Sequence, residues 1–230
     1  PYGVRRLDEA LEGAMTFGYY QVPTAENERG EYNYNGSDLK NRPMVWAGPL
    51  IYHELAPGHH FQINLNMENE TIHKIRKDMR LYNSSITEGW ANYSSFLAEE
   101  IGMLDEPLDQ YGWLVFQMFL YNRLVLDTGM NALGWSLEEA REFMRKYTFA
   151  TETEIQTETL RYSVDLPGQA SAYALGMDRL ILMRKNMKDQ LGNQFDIRDF
   201  HDAVLKEGAM PLNILEAHIH WFVTNKENKK

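Results

Sequence analysis

The alternation of apolar and polar residues along the chain predicts a mostly helical fold. Residues 4–15 are amphipathic with a helical period, and "SITEGWANYSSFLAEEIG" predicts a helix that starts near Ser85 and ends at Gly102. A long apolar helix, "YGWLVFQMFLYNRLVLDTG", follows Pro107. Later helices are predicted at these start signals: the capping boxes of Ser136 with Glu139 and of Thr151 with Glu154, the segment "PGQASAYALGMDRLILMRK", Asp196, and Pro211 before "LNILEAHIHWFV".

Residues 17–36 differ from the rest of the chain because they are rich in Gly, Asn, Pro and Tyr. The stretches "FGYYQV" and "GEYNYN" predict short strands, in a two- or three-stranded element within residues 16–36. We find no internal repeat, low-complexity run or flexible linker. The sequence therefore predicts one mainly α-helical domain, residues 1–230, with a small β element near its N-terminus.

The long apolar segment after Pro107 is predicted to be a buried helix rather than a membrane span. Polar side chains interrupt it, and no apolar run in the chain reaches the roughly 20 residues that a span needs. Two of these polar residues, Arg123 and Asp127, lie four positions apart. This spacing predicts a buried ion pair within the helix.

Composition limits the classes of partner. The net charge of −10 and the pI near 5.2 argue against a nucleic acid held by phosphate contacts. Cysteine is absent, so disulfides and thiolate ligands are excluded. Because the chain starts at Pro1 without Met, we interpret it as the C-terminal portion of a longer protein and expect it to pack against the missing N-terminal region. A signal for export, or for a periplasmic lipoprotein, would lie in that region, which leaves the compartment open.

Candidate chemistry is concentrated in "IYHELAPGHHFQ", residues 51–62, which holds three of the seven histidines. In a common zinc-protease motif two histidines lie at i and i+4, and the general-base glutamate follows the first. His53 and Glu54 fit the start of that motif, but Pro57 takes the place of the second histidine. On an ideal helix His60 would share a face with His53 about 10.5 Å further along the axis, too far for joint ligation.

Pro57 argues against an unbroken helix, because it cannot donate to the carbonyl of His53 and its ring clashes there. A bulge that absorbs two residues would bring His59 beside His53, and Gly58 would tolerate the backbone angles that a bulge demands. We therefore predict His59 as the second metal ligand and keep His60 as the alternative. Taken alone, the cluster is also compatible with a polar helix end.

Glu88 in "TEGWANY" is the candidate third ligand. It lies in the first turn of a predicted helix beside Gly89, which permits another backbone to approach closely. Two histidines and a distal glutamate form the ligand set of gluzincin proteases, which leaves a position open for water. Glu54 would then take a proton from that water. The cofactor that we predict is Zn²⁺, and the helix of the cluster is expected to pack antiparallel to the Glu88 helix.

The segments "HELAPGHHFQ" and "EGWANY" resemble the bacterial domain-of-unknown-function family 885, with its HExxPGHH and EGWAxY signature. The resemblance continues in order through "RLVLDTG", "ALGWS", "ETLRYSVDLPGQASAYALG" and "FHDAVLKEGAMPLNILE". It implies a zinc-peptidase-like protein with a zincin-like helical fold similar to the Taq-type carboxypeptidases. The Gly-His order is also similar to the HExxGH signature of dipeptidyl peptidase III. This chain departs from the family pattern at Ser95, where an acid is expected, and at Asn131, where His is expected; both departures bear on substrate contacts.

Substrate contacts are predicted near "DLPGQ". Arg161, Tyr162 or Tyr173 could donate to the oxyanion of a tetrahedral intermediate or hold a peptide carboxylate. Of these, Tyr173 is the candidate oxyanion donor and Arg161 the candidate catalytic or substrate contact, with Tyr162 and Gln169 as substrate-binding candidates. A core tyrosine and a structural salt bridge are the alternative interpretations.

A weaker candidate for substrate binding is "YNYN". Asn33 and Asn35 would lie on an edge strand that pairs with an extended peptide.

These patterns together predict zinc-dependent hydrolysis of peptide bonds, by a carboxypeptidase or an oligopeptidase. The alternative is a non-catalytic helical module whose metal site is structural or vestigial. The sequence leaves open the peptide preference, exo- against endopeptidase action and the oligomeric state.

Overall fold

The computed structural model describes residues 2–13, 15–24, 27–42, 44–79 and 83–227. As predicted, the described chain is mainly helical with a small sheet at its N-terminal end. The elements in chain order are β1 (Tyr2–Arg6), α1 (Glu9–Glu12), β2 (Gly18–Gln21), β3 (Gly30–Tyr34), a 3₁₀ turn (Met44–Trp46), α2 (Ala47–Glu54), α3 (His59–Glu68), α4 (Lys74–Met79), α5 (Ser84–Glu100), α6 (Pro107–Ala132), α7 (Leu137–Tyr147), α8 (Glu152–Leu160), a π-helical turn (Arg161–Asp165), α9 (Ser171–Leu191), a 3₁₀ turn (Gly192–Gln194), α10 (Ile197–Leu205) and α11 (Leu212–Glu227).

The sheet has three strands in the order β1-β3-β2, with β1 parallel and β2 antiparallel to β3. The strands at 18–21 and 30–34 confirm two predicted strands. The helix predicted over residues 4–15 is wrong in its first half, because residues 2–6 pair with β3 instead. Since β3 is the central strand, the prediction that Asn33 lies on an edge strand is also wrong.

Local capping residues set the starts of several helices, as predicted. Ser136 accepts a hydrogen bond from the backbone of Glu139, whose side chain returns one to the backbone of Ser136. The same reciprocal pair joins Thr151 and Glu154 at α8. Asp196 accepts from a backbone N–H in the first turn of α10. These contacts satisfy N–H groups that have no partner within their helix.

The two largest clusters of buried apolar residues both include side chains of α9. One cluster lies between α9, α5, α10 and α11, and the other between α9, α6, α7 and α8. α5 approaches α9 at a pair of glycines: a Cβ on Gly89 would lie 2.6 Å from the backbone of Gly176. The close backbone approach predicted at Gly89 is therefore confirmed, and it places Glu88 against the start of α9.

No helix in the described ranges is long and apolar enough to cross a membrane. α6 is packed into the core, and its buried polar residues include Arg123 and Asp127. The ion pair predicted between Arg123 and Asp127 is wrong, because each has a partner elsewhere. Arg123 pairs with Glu158 on α8, at 3.0 Å. Asp127 accepts hydrogen bonds from the backbone N–H groups of Gly168 and Ala170, and so fixes the turn before α9.

Candidate metal centre

The histidine cluster lies across a break between two helices. α2 ends at Glu54 and α3 begins at His59, and the Ala56–Pro57 peptide bond between them is cis. Pro57 disrupts the helix as predicted, but the expected form was wrong. The chain leaves the helix completely and starts a new one, instead of widening a single turn of a continuous helix.

Gly58 is the residue before α3, and it lies against the backbone at the end of α2. With a φ of −72° and a ψ of −136°, Gly58 lies outside the main allowed regions, so the unusual backbone angles predicted there are present. Space also favours glycine, because a Cβ there would lie 1.8 Å from the carbonyl oxygen of His53. The missing side chain allows His59, the next residue, to sit beside His53.

His53, His59 and Glu88 come together, and one candidate ligand atom from each lies within 4.8 Å of the others. Glu88 Oε2 is 3.5 Å from Nε2 of His53 and 3.4 Å from Nε2 of His59. The rings of the two histidines meet edge to face, with centroids 4.8 Å apart. His53 is also stacked on the ring of Tyr173, at 6.0 Å and 11°. The fold therefore places His59 and Glu88, the two other predicted ligands, next to His53.

The spacing of Glu88 Oε2 from the two imidazole nitrogens fits a zinc ion. Ligand atoms about 2.0–2.2 Å from a tetrahedral zinc lie about 3.4 Å from one another, close to the two distances at Glu88. Glu88 Oε2 is buried and has no hydrogen-bond partner among the described residues, as its contacts to the rings exceed the usual range of about 2.7–3.2 Å. The donor set of two imidazoles and a carboxylate is also one that zinc prefers.

The second carboxylate oxygen of Glu88 is held by a side-chain amide. Gln169 donates to Glu88 Oε1 at 3.2 Å and to the hydroxyl of Tyr173 at 3.1 Å. Such a contact orients a ligand carboxylate. The Nδ1 atoms of His53 and His59 are buried with no partner in the described ranges, so the packing of the rings sets their orientation.

Without a metal, the charges in the cluster stabilise one another. Burial raises the pKa of Glu88, but His59 and His53 outweigh that effect and hold the pKa well below its ordinary value. Burial lowers the pKa of His59, yet Glu88 reverses the effect and the net shift is upward. The cluster is thus a buried carboxylate that attracts positive charge, which a metal would supply in place of protons.

Glu54 lies beside the cluster and lines the same cavity, which has a volume of about 290 Å³. Its Oε2 accepts a hydrogen bond of 2.9 Å from the backbone N–H of Tyr20 on β2. Oε1 accepts none from the described residues. Burial raises the pKa of the Glu54 carboxyl, although His59 and His53 oppose the shift. A carboxylate fixed at one oxygen and free at the other is suited to proton transfer.

His60, the alternative ligand, lies against the sheet and is not part of the group of candidate metal ligands. Its Nδ1 lies 2.8 Å from the hydroxyl of Tyr20 and 3.1 Å from the side-chain nitrogen of Asn64. The ring also contacts Tyr2 edge to face at 5.1 Å. His60 therefore attaches β1 and β2 to α3, and through Tyr20 it supports the strand that fixes Glu54.

Tyr173 and Arg161, two of the predicted substrate contacts, line the cavity. Burial raises the pKa of Tyr173 to about 12, so its hydroxyl keeps its proton near neutral pH. The hydroxyl accepts from Gln169 and donates to no acceptor among the described residues. Gln169 does not line the cavity, and its contacts orient Glu88 and Tyr173. That Gln169 also binds substrate stays a prediction.

Tyr162 is not at the cavity, so its predicted substrate role is wrong. It is fully buried and its hydroxyl donates to Glu158, which forms a two-point ion pair with Arg123 at 3.0 and 3.1 Å. Thr16 adds a hydrogen bond of 2.5 Å to the same carboxylate. The guanidinium of Arg123 lies 4.6 Å from the centre of the Tyr173 ring. This network packs against the ring of Tyr173 and supports it.

Asn35 is likewise structural, which corrects its prediction as a substrate contact. It is buried and donates to the carbonyl oxygens of Glu12 and Met15, while Ser37 donates to its side-chain oxygen. With all of its amide atoms engaged, Asn35 closes the loop after β3 and has no atom left for a peptide.

The two departures from the family signature also lie outside the cavity. Ser95 is fully buried and donates to the carbonyl of Pro49 at 2.6 Å. Asn131 donates to Asp127 and to the carbonyl of Tyr162. They were predicted to bear on substrate contacts, but in the structure both side chains join neighbouring elements of the fold.

Sequence reasoning missed Tyr20 and Glu158. Tyr20 acts through its backbone N–H, which has no sequence signature. Glu158 lies in the polar stretch "QTET" of α8, so no local pattern marks it as buried. Its partner, Arg123, lies 35 positions away in the chain.

The chain belongs to the family of bacterial proteins of unknown function named DUF885, which its sequence matches over residues 1–219. No curated protein matches it. A crystal structure from Colwellia psychrerythraea, described as a "putative lipoprotein", is 34% identical with a TM-score of 0.89 and covers 98% of this chain. A structure from Shewanella oneidensis, a "putative lipoprotein of unknown function", is 22% identical with a TM-score of 0.76 over 94% of this chain and shows the shared fold. The chain spans 38% and 40% of the lengths of these two proteins.

Proposed function

We propose that the protein is a zinc-dependent peptidase, in which zinc is held by His53, His59 and Glu88. The observation that supports this most strongly is the convergence of two imidazole Nε2 atoms on one carboxylate oxygen, next to a second glutamate at a cavity. A bound zinc ion would polarise the substrate carbonyl and lower the pKa of a water molecule.

Glu54 is the general base in this proposal. Its unengaged Oε1 takes a proton from the attacking water as the water oxygen bonds to the carbonyl carbon. The same carboxyl then gives the proton to the amide nitrogen as the C–N bond breaks, which yields an acid and an amine. The N–H of Tyr20 holds the other carboxylate oxygen during both transfers.

Tyr173 stabilises the charge that develops on the carbonyl oxygen. Its protonated hydroxyl is held by Gln169, and its ring packs on the guanidinium of Arg123. A donor that is already oriented stabilises such charge without reorganisation during the reaction.

A purely structural metal site is the competing function. Structural zinc sites normally have four protein ligands and are closed to solvent. Here three candidate ligands border a cavity, which favours catalysis.

The similarity to the Taq-type carboxypeptidases remains a prediction of the same proposal. The two similar crystal structures are both described as a "putative lipoprotein". We infer from them that the whole protein is exported. Its substrates are then peptides outside the cytoplasm.

The Glu54→Gln variant tests the proposal. Peptide hydrolysis by protein loaded with zinc is measured alongside the zinc content. We expect turnover to fall at least about a hundredfold while zinc content stays unchanged. Equal turnover in wild type and variant would contradict the role of Glu54, and no turnover in the zinc-loaded wild type would favour the structural site.

A further inference from the structure

Arg161 carries a charge at the cavity that no acidic side chain of the described residues neutralises. It stands at the start of the π-helical turn that follows α8. In the described part of the chain it donates one hydrogen bond, to Gln169 at 3.4 Å, and forms no ion pair. The other arginine at the cavity, Arg123, is paired with Glu158. Arg161 is therefore the cavity arginine that remains free to bind an anion.

The side-chain amide of Gln169 lies between Arg161 and Glu88, one of the candidate metal ligands. Gln169 accepts from Arg161 through Oε1 and donates to Glu88 through Nε2, at 3.2 Å. The path from the guanidinium to the Glu88 carboxylate is thus about two residue lengths, since an extended residue spans about 3.3–3.6 Å. A carboxylate bound at Arg161 would lie one or two residues beyond a peptide bond at the metal.

The rest of the cavity is small and largely apolar. Its volume of about 290 Å³ is just below the range of about 300–1,000 Å³ for ligand pockets. Its apolar lining consists mainly of Phe17, Val22, Leu50, Ile63, Phe116, Phe119 and Leu120. Such a space encloses a short peptide end with an apolar side chain better than a long extended chain.

We propose that the site releases residues from the free carboxyl end of short peptides with an apolar last residue, and that Arg161 binds the terminal carboxylate. The proposal rests on the peptidase function proposed above. Water supplies OH to the shortened peptide and H to the amine of the released residue, so no other reactant is needed.

Binding is measured by calorimetry on zinc-loaded Glu54→Gln protein, which keeps the substrate intact. The probes are N-benzoyl-glycyl-phenylalanine and its C-terminal amide. We expect the free acid to bind about 10- to 100-fold more tightly, the contribution of a hydrogen-bonded charge. Adding Arg161→Gln should remove the difference, and Arg161→Lys should retain part of it. Adding Arg179→Gln, which removes a partly exposed pair with Glu216 on another face of α9, should leave the difference intact.

Hydrolysis by the zinc-loaded wild type separates this inference from the function on which it rests. We expect release of phenylalanine from the acid and at least tenfold slower cleavage of the amide. Equal binding and cleavage of acid and amide would overturn the role of Arg161 while leaving the peptidase function standing. N-benzoyl-glycyl-glutamic acid amide tests for recognition of a side-chain carboxylate: cleavage as fast as that of the free acid would overturn terminal recognition. If no peptide is cleaved, the peptidase function fails, and carboxylate binding at Arg161 is still decided by calorimetry.

Discussion

Replacing Gly58 by alanine should damage the metal site through steric overlap alone. The new Cβ would lie 1.8 Å from the carbonyl oxygen of His53 and 2.5 Å from that of Tyr52, whereas real Cβ contacts essentially never fall below 3.0 Å. The connection between α2 and α3 must therefore open by more than 1 Å. Zinc ligands tolerate displacements of only about 0.2 Å, and His59 is the next residue. We expect zinc affinity to fall about 10- to 100-fold, the range for lost ligand support.

The same overlap should lower the free energy of unfolding without metal by about 1–3 kcal/mol, as in other overpacked sites. Zinc affinity is measured by competition with a chelator of known affinity, and stability by urea unfolding in the presence of EDTA. Gly13→Ala is the matched control, because a Cβ there has no atom within 4 Å and its φ is −71°. If Gly58→Ala binds zinc as tightly as Gly13→Ala and is as stable, the close contact between the two helices is not what aligns the histidines.

Three further predictions concern the supports of the site. Glu158→Gln should lower the free energy of unfolding by about 3–5 kcal/mol, because it leaves the charge of Arg123 buried and unpaired; a loss below 1 kcal/mol in urea unfolding would show that the pair is unimportant. His60→Ala should keep its zinc in metal analysis while His59→Ala loses it, and the reverse result would reassign the ligand. Tyr173→Phe should lower kcat about a hundredfold at unchanged zinc content, whereas an unchanged kcat would remove the hydroxyl from the reaction.

The sequence predicted those parts of the fold that depend on neighbouring residues. Capping boxes such as Ser136 with Glu139 act within four residues, so the helix starts could be read directly. β1 could not, because five residues with only one buried position carry a weak pattern. Its strand conformation comes from pairing with β3, more than 20 residues later.

In the candidate site, too, local features could be predicted and contacts between distant elements could not. Pro57 disrupts a regular helix by its own chemistry. The grouping of His59 with His53 could therefore be predicted, although the complete break between two helices could not. The contacts that orient the site are made between distant elements. The N–H of Tyr20 reaches Glu54 from a strand, and Gln169 reaches Glu88 from the turn before α9. Neither contact has a local sequence pattern.

The central claim is that two imidazoles and one carboxylate of this chain hold a single zinc ion. X-ray absorption spectroscopy of the zinc-loaded protein, with zinc counted on the same sample, tests it most directly. We predict about one zinc per chain with two imidazole ligands, reduced to one imidazole or to loss of the metal in His59→Ala and unchanged in His60→Ala. Less than about 0.1 zinc per chain after reloading, or a spectrum that His59→Ala leaves unchanged, would contradict the account.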